Sequence, residues 1–345
     1  MRVADSASGL ATICDDETVT VPLGLVALYW IRLFKPLIEN DIPQMPAQRD
    51  NHGLAFVKAP FRGLADVSPF ELRVGAEFHG TTGKVLAAAI KDAAQTIRKM
   101  PAFYITYPNS SKQVFEIVGQ IKPIRSADQL TITAEYLAGF GQMRIPINIW
   151  QALSRYATWI EPSILFEWSE LMQQYAQTHG KNPGMNELMQ HLRWLDPERD
   201  TSLVRSIVTK LAAGGSEVYC VWSGKRLKVD RYDVDHCFPF SAWPCNDLWN
   251  LLPVNREINN NKKDKLVTTR TLNAAWDRIE TWWNEAYFAA AAETYASRFR
   301  REAFASLPLV DADVNESFYD NMFDAMQLKR AGLKQNQNLT EWDVQ

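Results

Sequence analysis

CVWSGKRLKVDRYDVDHCFPFSAWPCNDLWNLLPVNREINNNKKDKL, residues 220–266, sets a carboxylate and an imidazole, Asp235 and His236, side by side at the end of an alternating run. That run, Arg231 to His236, has the period of two that suits a strand. A loop containing Pro239 and Pro244 follows, and then a short apolar run from Leu248 to Leu252 that predicts a second strand. Beyond Pro253 the chain turns polar and lysine-rich, with Ile258 and Leu266 as its apolar marks, which predicts a helix over 255–267. The expected local order is strand, loop, strand, helix.

These residues resemble the HNH nuclease motif. In that family's ββα-metal fold an Asp-His pair ends the first strand, an Asn lies on the second, and a His or Asn sits on the helix. Here Asn250 follows His236 by fourteen positions and Asn259 follows Asn250 by nine. The helix continues as Asn259-x-x-Lys262-x-Asp264, which also resembles the family pattern, in a variant whose last letter is Asn. A lone Asp-His pair is commonplace; the joint pattern of Asp-His-x-x-Pro, Leu-Trp-Asn-Leu and Asn-x-x-Lys-x-Asp is what restricts the match. Asn260 and Asn261 compete with Asn259 for the last position, and register favours Asn259, because counting from either rival loses the Lys-x-Asp continuation. The resemblance covers about forty-five residues and does not extend to the rest of the chain.

Phosphodiester hydrolysis needs an activated water, charge neutralisation at the phosphate and help for the leaving oxygen. Neutral imidazole accepts a proton near neutral pH, which makes His236 the expected general base. Oxygen ligands suit Mg²⁺ (or Mn²⁺), which takes only one or two protein carboxylates; Asp235 and Asn259 are the expected ligands. Neighbouring strand side chains point to opposite faces, so Asp235 and His236 can serve one site only at a strand end or a bend. For Asn250 the resemblance implies a mainly structural part in the catalytic unit, bonding backbone to hold the loop. Lys262, Lys263 and Lys265 are candidate DNA phosphate contacts, although a lysine-rich helix face is as readily a solvated one.

Many members of the family carry two Cys-x-x-Cys pairs around a structural zinc. The four cysteines here, Cys14, Cys220, Cys237 and Cys245, have no such spacing, and the position that would partner Cys220 is Ser223. No structural zinc is expected; reduced, packed thiols are, with Trp222, Trp243 and Trp249 available to brace the small fold.

The whole chain has 345 residues, enough for two domains, and a net charge of −3. From Ser223 to Arg270 there are nine Lys and Arg against six Asp and Glu, whereas Thr271 to the end has seven against twelve. The positive excess sits at the motif, as a local DNA-binding surface requires. The start, MRVADSASGLATICDD, lacks the apolar core of a signal peptide, and with few cysteines the expected compartment is the cytoplasm. The most apolar stretch, Val21 to Ile38, contains Arg32 and Lys35 and is interrupted by Pro22 and Pro36, so it reads as a buried helix and not as a membrane span.

The expected fold class is α+β, mostly α-helical. Residues 1–140 read as a mixed α and β module with helices over 23–39 and 84–100 and a strand pair, 103–107 and 113–120, around Pro108 to Ser111. Gly80-Thr81-Thr82-Gly83-Lys84 does not complete a phosphate loop, since Phe78 stands where a Gly belongs and Val85 where a Ser or Thr belongs. Residues 141–214 read as a helical connector in which Trp150, Trp159, Trp168 and Trp194 form a core stripe. Residues 215–310 form the nuclease domain with a following helical region over 272–307, whose Arg298 and Arg301 are further candidate DNA contacts; residues 311–345 form a helical tail whose polar end, from Leu333, is expected to fray.

The function expected is a metal-dependent endonuclease that cuts DNA, leaving 5′-phosphate and 3′-hydroxyl ends as the resemblance implies. One site cuts one strand, so double-strand cleavage calls for a homodimer or a second pass. A nuclease fused to a non-basic module suits restriction or anti-phage defence, the module reading a sequence, a base modification, a signal or a partner protein. The competing readings are a structure-directed nuclease of repair, recombination or phage DNA processing, an RNase, and a protein that grips DNA without cutting.

Overall fold

The apolar run around Ala27 folds as a helix over Leu23–Glu39, which buries Leu23, Leu25, Leu28, Ile31 and Leu37. Its second residue is Gly24 because a Cβ there would meet the Leu137 carbonyl oxygen at 2.5 Å and the Phe140 ring at 2.7 Å. The helix runs through Pro36 and does not break there: proline's missing donor falls within the last turn, and the Asn40 amide caps the Pro36 carbonyl at 2.8 Å.

The computed structural model describes the chain except for residues 7, 16, 48–58, 70, 122–128, 193–197, 229, 290–292, 308–316 and 345. The chain divides into two compact units, residues 1–195 and 196–345, and the described residues are mostly helical with small sheets, an α+β protein. No described helix is long and apolar enough to cross a membrane.

In the first unit a four-stranded antiparallel sheet runs in the order Thr12–Ile13, Thr18–Pro22, Gln142–Pro146, Glu116–Val118. The helix Leu23–Glu39 packs against Gly80–Lys99, whose first turn contains the glycines of the failed phosphate loop. The strand pair expected over 103–120 is only partly there. Pro101–Tyr104 is a helical turn, a single bridge joins Thr106 to Gln113, and the strand proper is Glu116–Val118, which pairs with Gln142–Pro146. The four segments read from the sequence do not coincide with the two units: 141–214 is divided, its helices Ile147–Arg155, Ala157–Thr178 and Met185–Leu192 lying in the first and Ser202–Ala213 in the second. Nor is the tryptophan stripe all core. Trp168 packs on Phe34 with ring centroids 5.0 Å apart, but Trp159 is 76 % exposed, and Trp194 lies outside the described residues.

The second unit is built on an antiparallel pair, Tyr232–His236 with Leu251–Asn255, in the register Asp233 to Val254, Asp235 to Leu252 and His236 to Leu251. The helix Arg256–Lys262 follows directly, its N-cap Asn255 accepting the Glu257 N–H at 2.8 Å. This helix is shorter than 255–267 suggests, because Lys263 takes φ +53° and ends it, and Leu266–Val267 leaves as a short strand. The second strand starts three residues later than expected: Leu248–Asn250 is a 3₁₀ turn, and Pro253 lies inside the strand. Helices Thr269–Trp283 and Glu293–Ser306 flank the pair; Ser306 Oγ accepts the Trp249 indole N–H at 3.0 Å. The tail does not fray. Phe318–Gln337 is a helix, and Glu341–Trp342 pairs in parallel with Leu266–Val267, placing Trp342, 5 % exposed, edge-on to Trp222.

Candidate active site

Strand alternation puts Asp233 and Asp235 on the side of the hairpin that the helix Arg256–Lys262 covers, and Asn259 and Lys262, three apart, on one face of that helix. Two rungs result. Asn259 donates its side-chain N–H to Asp233 Oδ2 at 3.1 Å, and the Lys262 ammonium lies 3.1 Å from both oxygens of Asp235. Trp222 completes the second rung by donating its indole N–H to Asp235 Oδ2 at 2.9 Å. Trp222 is itself fixed by the turn Cys220 to Lys225, in which Gly224, at φ +68°, donates to the Cys220 carbonyl, and by Arg278, which bonds the Val221 and Trp222 carbonyls.

Lys262 corrects the sequence reading. Its side chain is fully buried and also donates to the His236 carbonyl at 2.8 Å, so it faces Asp235 and no DNA phosphate. A charge so enclosed persists only with a paired partner, which Asp235 supplies. Lys263 is exposed and Lys265 half-buried. Arg298 is half-buried and pairs with Glu302 at 2.6 Å, while Glu302 accepts the Leu248 N–H and so ties that helix to the turn before the second strand. Arg301 donates to Ser297 Oγ at 2.8 Å.

His236 ends the first strand, and its ring leaves toward the loop that follows, away from the rungs. Its Nε2 lies 3.1 Å from Asn246 Oδ1, and its ring meets Phe240 edge-on at 5.0 Å. Burial, with the Arg199 and Lys262 charges adding to it and the Asn246 hydrogen bond opposing, pushes the imidazole down to about 4. The ring is thus neutral at physiological pH, the state a base requires. No hydrogen bond joins the His236 ring to Asp235 among the described residues. Asn250 is fully buried, and among the described residues its side-chain hydrogen bonds run to backbone, accepting the Phe238 N–H at 2.9 Å and donating to the Cys245 carbonyl at 3.0 Å. These bonds hold the 237–250 loop closed.

The sequence reading passed over Asp233, Asn246 and Glu302. For Asp233 a signal existed, since the same period of two that defined the strand puts residues 233 and 235 on one face. Asn246 and Glu302 carried none, because their partners are set by the tertiary fold. Cys237 and Cys245 are buried and their thiols pushed up by that burial, and the Cys220 sulfur accepts the Asn255 N–H.

Comparison with known families fits this geometry. The model described as an HNH endonuclease matches residues 220–268, and residues 220–268 form an HNH endonuclease domain. No curated protein and no solved structure matches the chain. The model described as a domain of unknown function, DUF8808, matches residues 1–192, more than half of the chain, and the chain belongs to that family.

Proposed function

We propose that this DUF8808 family member is a metal-dependent endonuclease that hydrolyses DNA phosphodiester bonds at the 232–262 ββα unit. What supports the reading is that this unit, within the stretch matching HNH endonucleases, carries an imidazole kept neutral by burial, a buried carboxylate and a helix amide. His236 takes the proton of the attacking water. Asp235 and Asn259 would hold Mg²⁺ or Mn²⁺, and they fit in kind: one carboxylate and one amide oxygen are the hard donors such an ion takes from protein. When bound, the ion neutralises charge at the phosphate and assists the leaving oxygen. Lys263 and Lys265 meet flanking phosphates, with Arg301 further along the surface. Residues 1–192 set when or where the site acts, in restriction or anti-phage defence within the cytoplasm.

One observation favours a second reading. Asp235 and His236 are 2 % and 1 % exposed, with the carboxylate paired to Lys262 and Phe240 lying against the imidazole. That arrangement suits a nuclease held off until substrate or a signal at the first unit opens the 237–247 loop, or a domain that grips DNA without cutting. The test is a panel of supercoiled plasmid, unmodified and phage-modified, with branched and single-stranded DNA, each with Mg²⁺, Mn²⁺ or EDTA. Metal-dependent cleavage preferring one duplex form supports the defence reading. Preference for branched or single-stranded DNA moves the assignment to DNA processing, and binding without cleavage under any metal defeats the reading of the free chain as an active nuclease and leaves the held-off nuclease and the non-cutting binder.

A further inference from the structure

Asn246 has no place in the motif that identified the site, yet it is the residue that decides which nitrogen of His236 is basic. Its side-chain amide is held at both ends by backbone of opposite polarity. The amide nitrogen donates to the Glu198 carbonyl at 2.7 Å, and Oδ1 accepts the Asp200 N–H at 3.1 Å. A carbonyl accepts only and an N–H donates only, so the amide has one orientation, with oxygen toward the histidine. That oxygen lies 3.1 Å from His236 Nε2 and has nothing to donate, so Nε2 must carry the proton. In the neutral ring the lone pair then resides on Nδ1, and Nδ1 is buried without a hydrogen-bond partner among the described residues. An unpartnered acceptor in an otherwise satisfied site is where a proton can be taken up.

We infer that Asn246 is a positioning residue, which, clamped by Glu198 and Asp200, fixes the proton of His236 on Nε2 and presents Nδ1 as the basic atom toward the attacking water. This deepens the nuclease reading and rests on His236 being its general base. The backbone half of the clamp comes from the first described residues of the second unit, and the Arg199 guanidinium between them reaches the Val234 carbonyl at 3.5 Å. The segment by which the chain enters the nuclease unit is therefore part of what orients its base.

The experiment uses the full chain labelled with ¹⁵N-histidine and reads the tautomer of His236 by long-range ¹H–¹⁵N correlation at neutral pH, beside the steady-state kinetics of plasmid nicking. His236→Gln identifies the signal. The wild type is expected to show the Nε2–H form. Asn246→Ala is expected to show a mixture of tautomers, with kcat for nicking about 10- to 100-fold lower, a part of what a positioned base contributes, and KM unchanged. Asn246→Asp keeps an acceptor for both the Asp200 N–H and His236 Nε2 but loses the N–H given to the Glu198 carbonyl; it is expected to keep the tautomer and recover part of kcat, and Asn246→Ser, which lacks the second arm of the clamp, carries the loss should Asn246→Ala fail to fold. A wild-type His236 protonated on Nδ1 overturns the inference, as does Asn246→Ala with wild-type tautomer and kcat. A wild-type chain that cuts no DNA defeats the nuclease reading instead, while the tautomer still decides the clamp.

Discussion

At the scale of single residues the site contains a buried ion pair and a buried imidazole held by internal partners. Lys262 and Asp235 form an ion pair with no solvent contact to speak of, and removing one member leaves the other charged in a dry site. Lys262→Met is therefore expected to cost about 3–5 kcal/mol in urea unfolding, and Asp235→Leu with Lys262→Met is expected to recover most of that loss. A Lys262→Met variant as stable as the wild type would show that the pair contributes nothing. His236 gives a pH dependence whose sign follows from its depressed value. The folded ring takes up its proton at about 4, while the unfolded one does so near the ordinary 6.5. As pH falls through that window the unfolded state binds the proton first, so stability present above 6.5 is lost progressively, by about 3 kcal/mol at the lower end. Urea unfolding between those values should show this slope in the metal-free wild type and a shallower one in His236→Gln.

At the scale of elements, the hairpin and its helix are braced by pieces distant in sequence. Trp342, on the tail strand, packs on Trp222, whose indole holds Asp235, so the last strand supports the carboxylate through one intervening ring. Trp342→Ala is expected to lower stability by about 3–5 kcal/mol in thermal unfolding, against little change for a fraying tail. This is also where the sequence was least informative. The Asp-His pair, Asn250 and Asn259 stand out through the resemblance of their spacing to the family motif, the first strand through its alternation, and Leu23–Glu39 as an apolar run. The tail shows no such run: Trp342 is one of four scattered apolar residues in LKQNQNLTEWDVQ, and what makes it core is a parallel pairing to Leu266–Val267 across more than seventy residues. The short site helix was overestimated for a related reason. Lys263 stops it by adopting φ +53°, a conformation that lysine does not advertise as glycine would. Lys262 looked like its neighbours Lys263 and Lys265, and only the fold turns it inward.

At the scale of the whole molecule two units carry separate cores, residues 1–195 and 196–345. Calorimetry of the full chain is expected to resolve two transitions, and a 196–345 fragment to reproduce one of them, whereas loss of structure in the fragment would show that the nuclease unit depends on the first. The near-neutral total charge of −3 hides a division of labour, with the lysine and arginine excess confined to the stretch around the site. The central claim is that the second unit cuts DNA through His236. It is tested most directly by nicking of supercoiled plasmid with Mg²⁺ by the wild type and by His236→Ala, each shown folded by circular dichroism. The wild type is expected to nick, EDTA to abolish the nicking, and the variant to nick about 10²-fold or more slowly. Equal nicking by the two proteins, or none by the wild type on any DNA or with any metal, would contradict it.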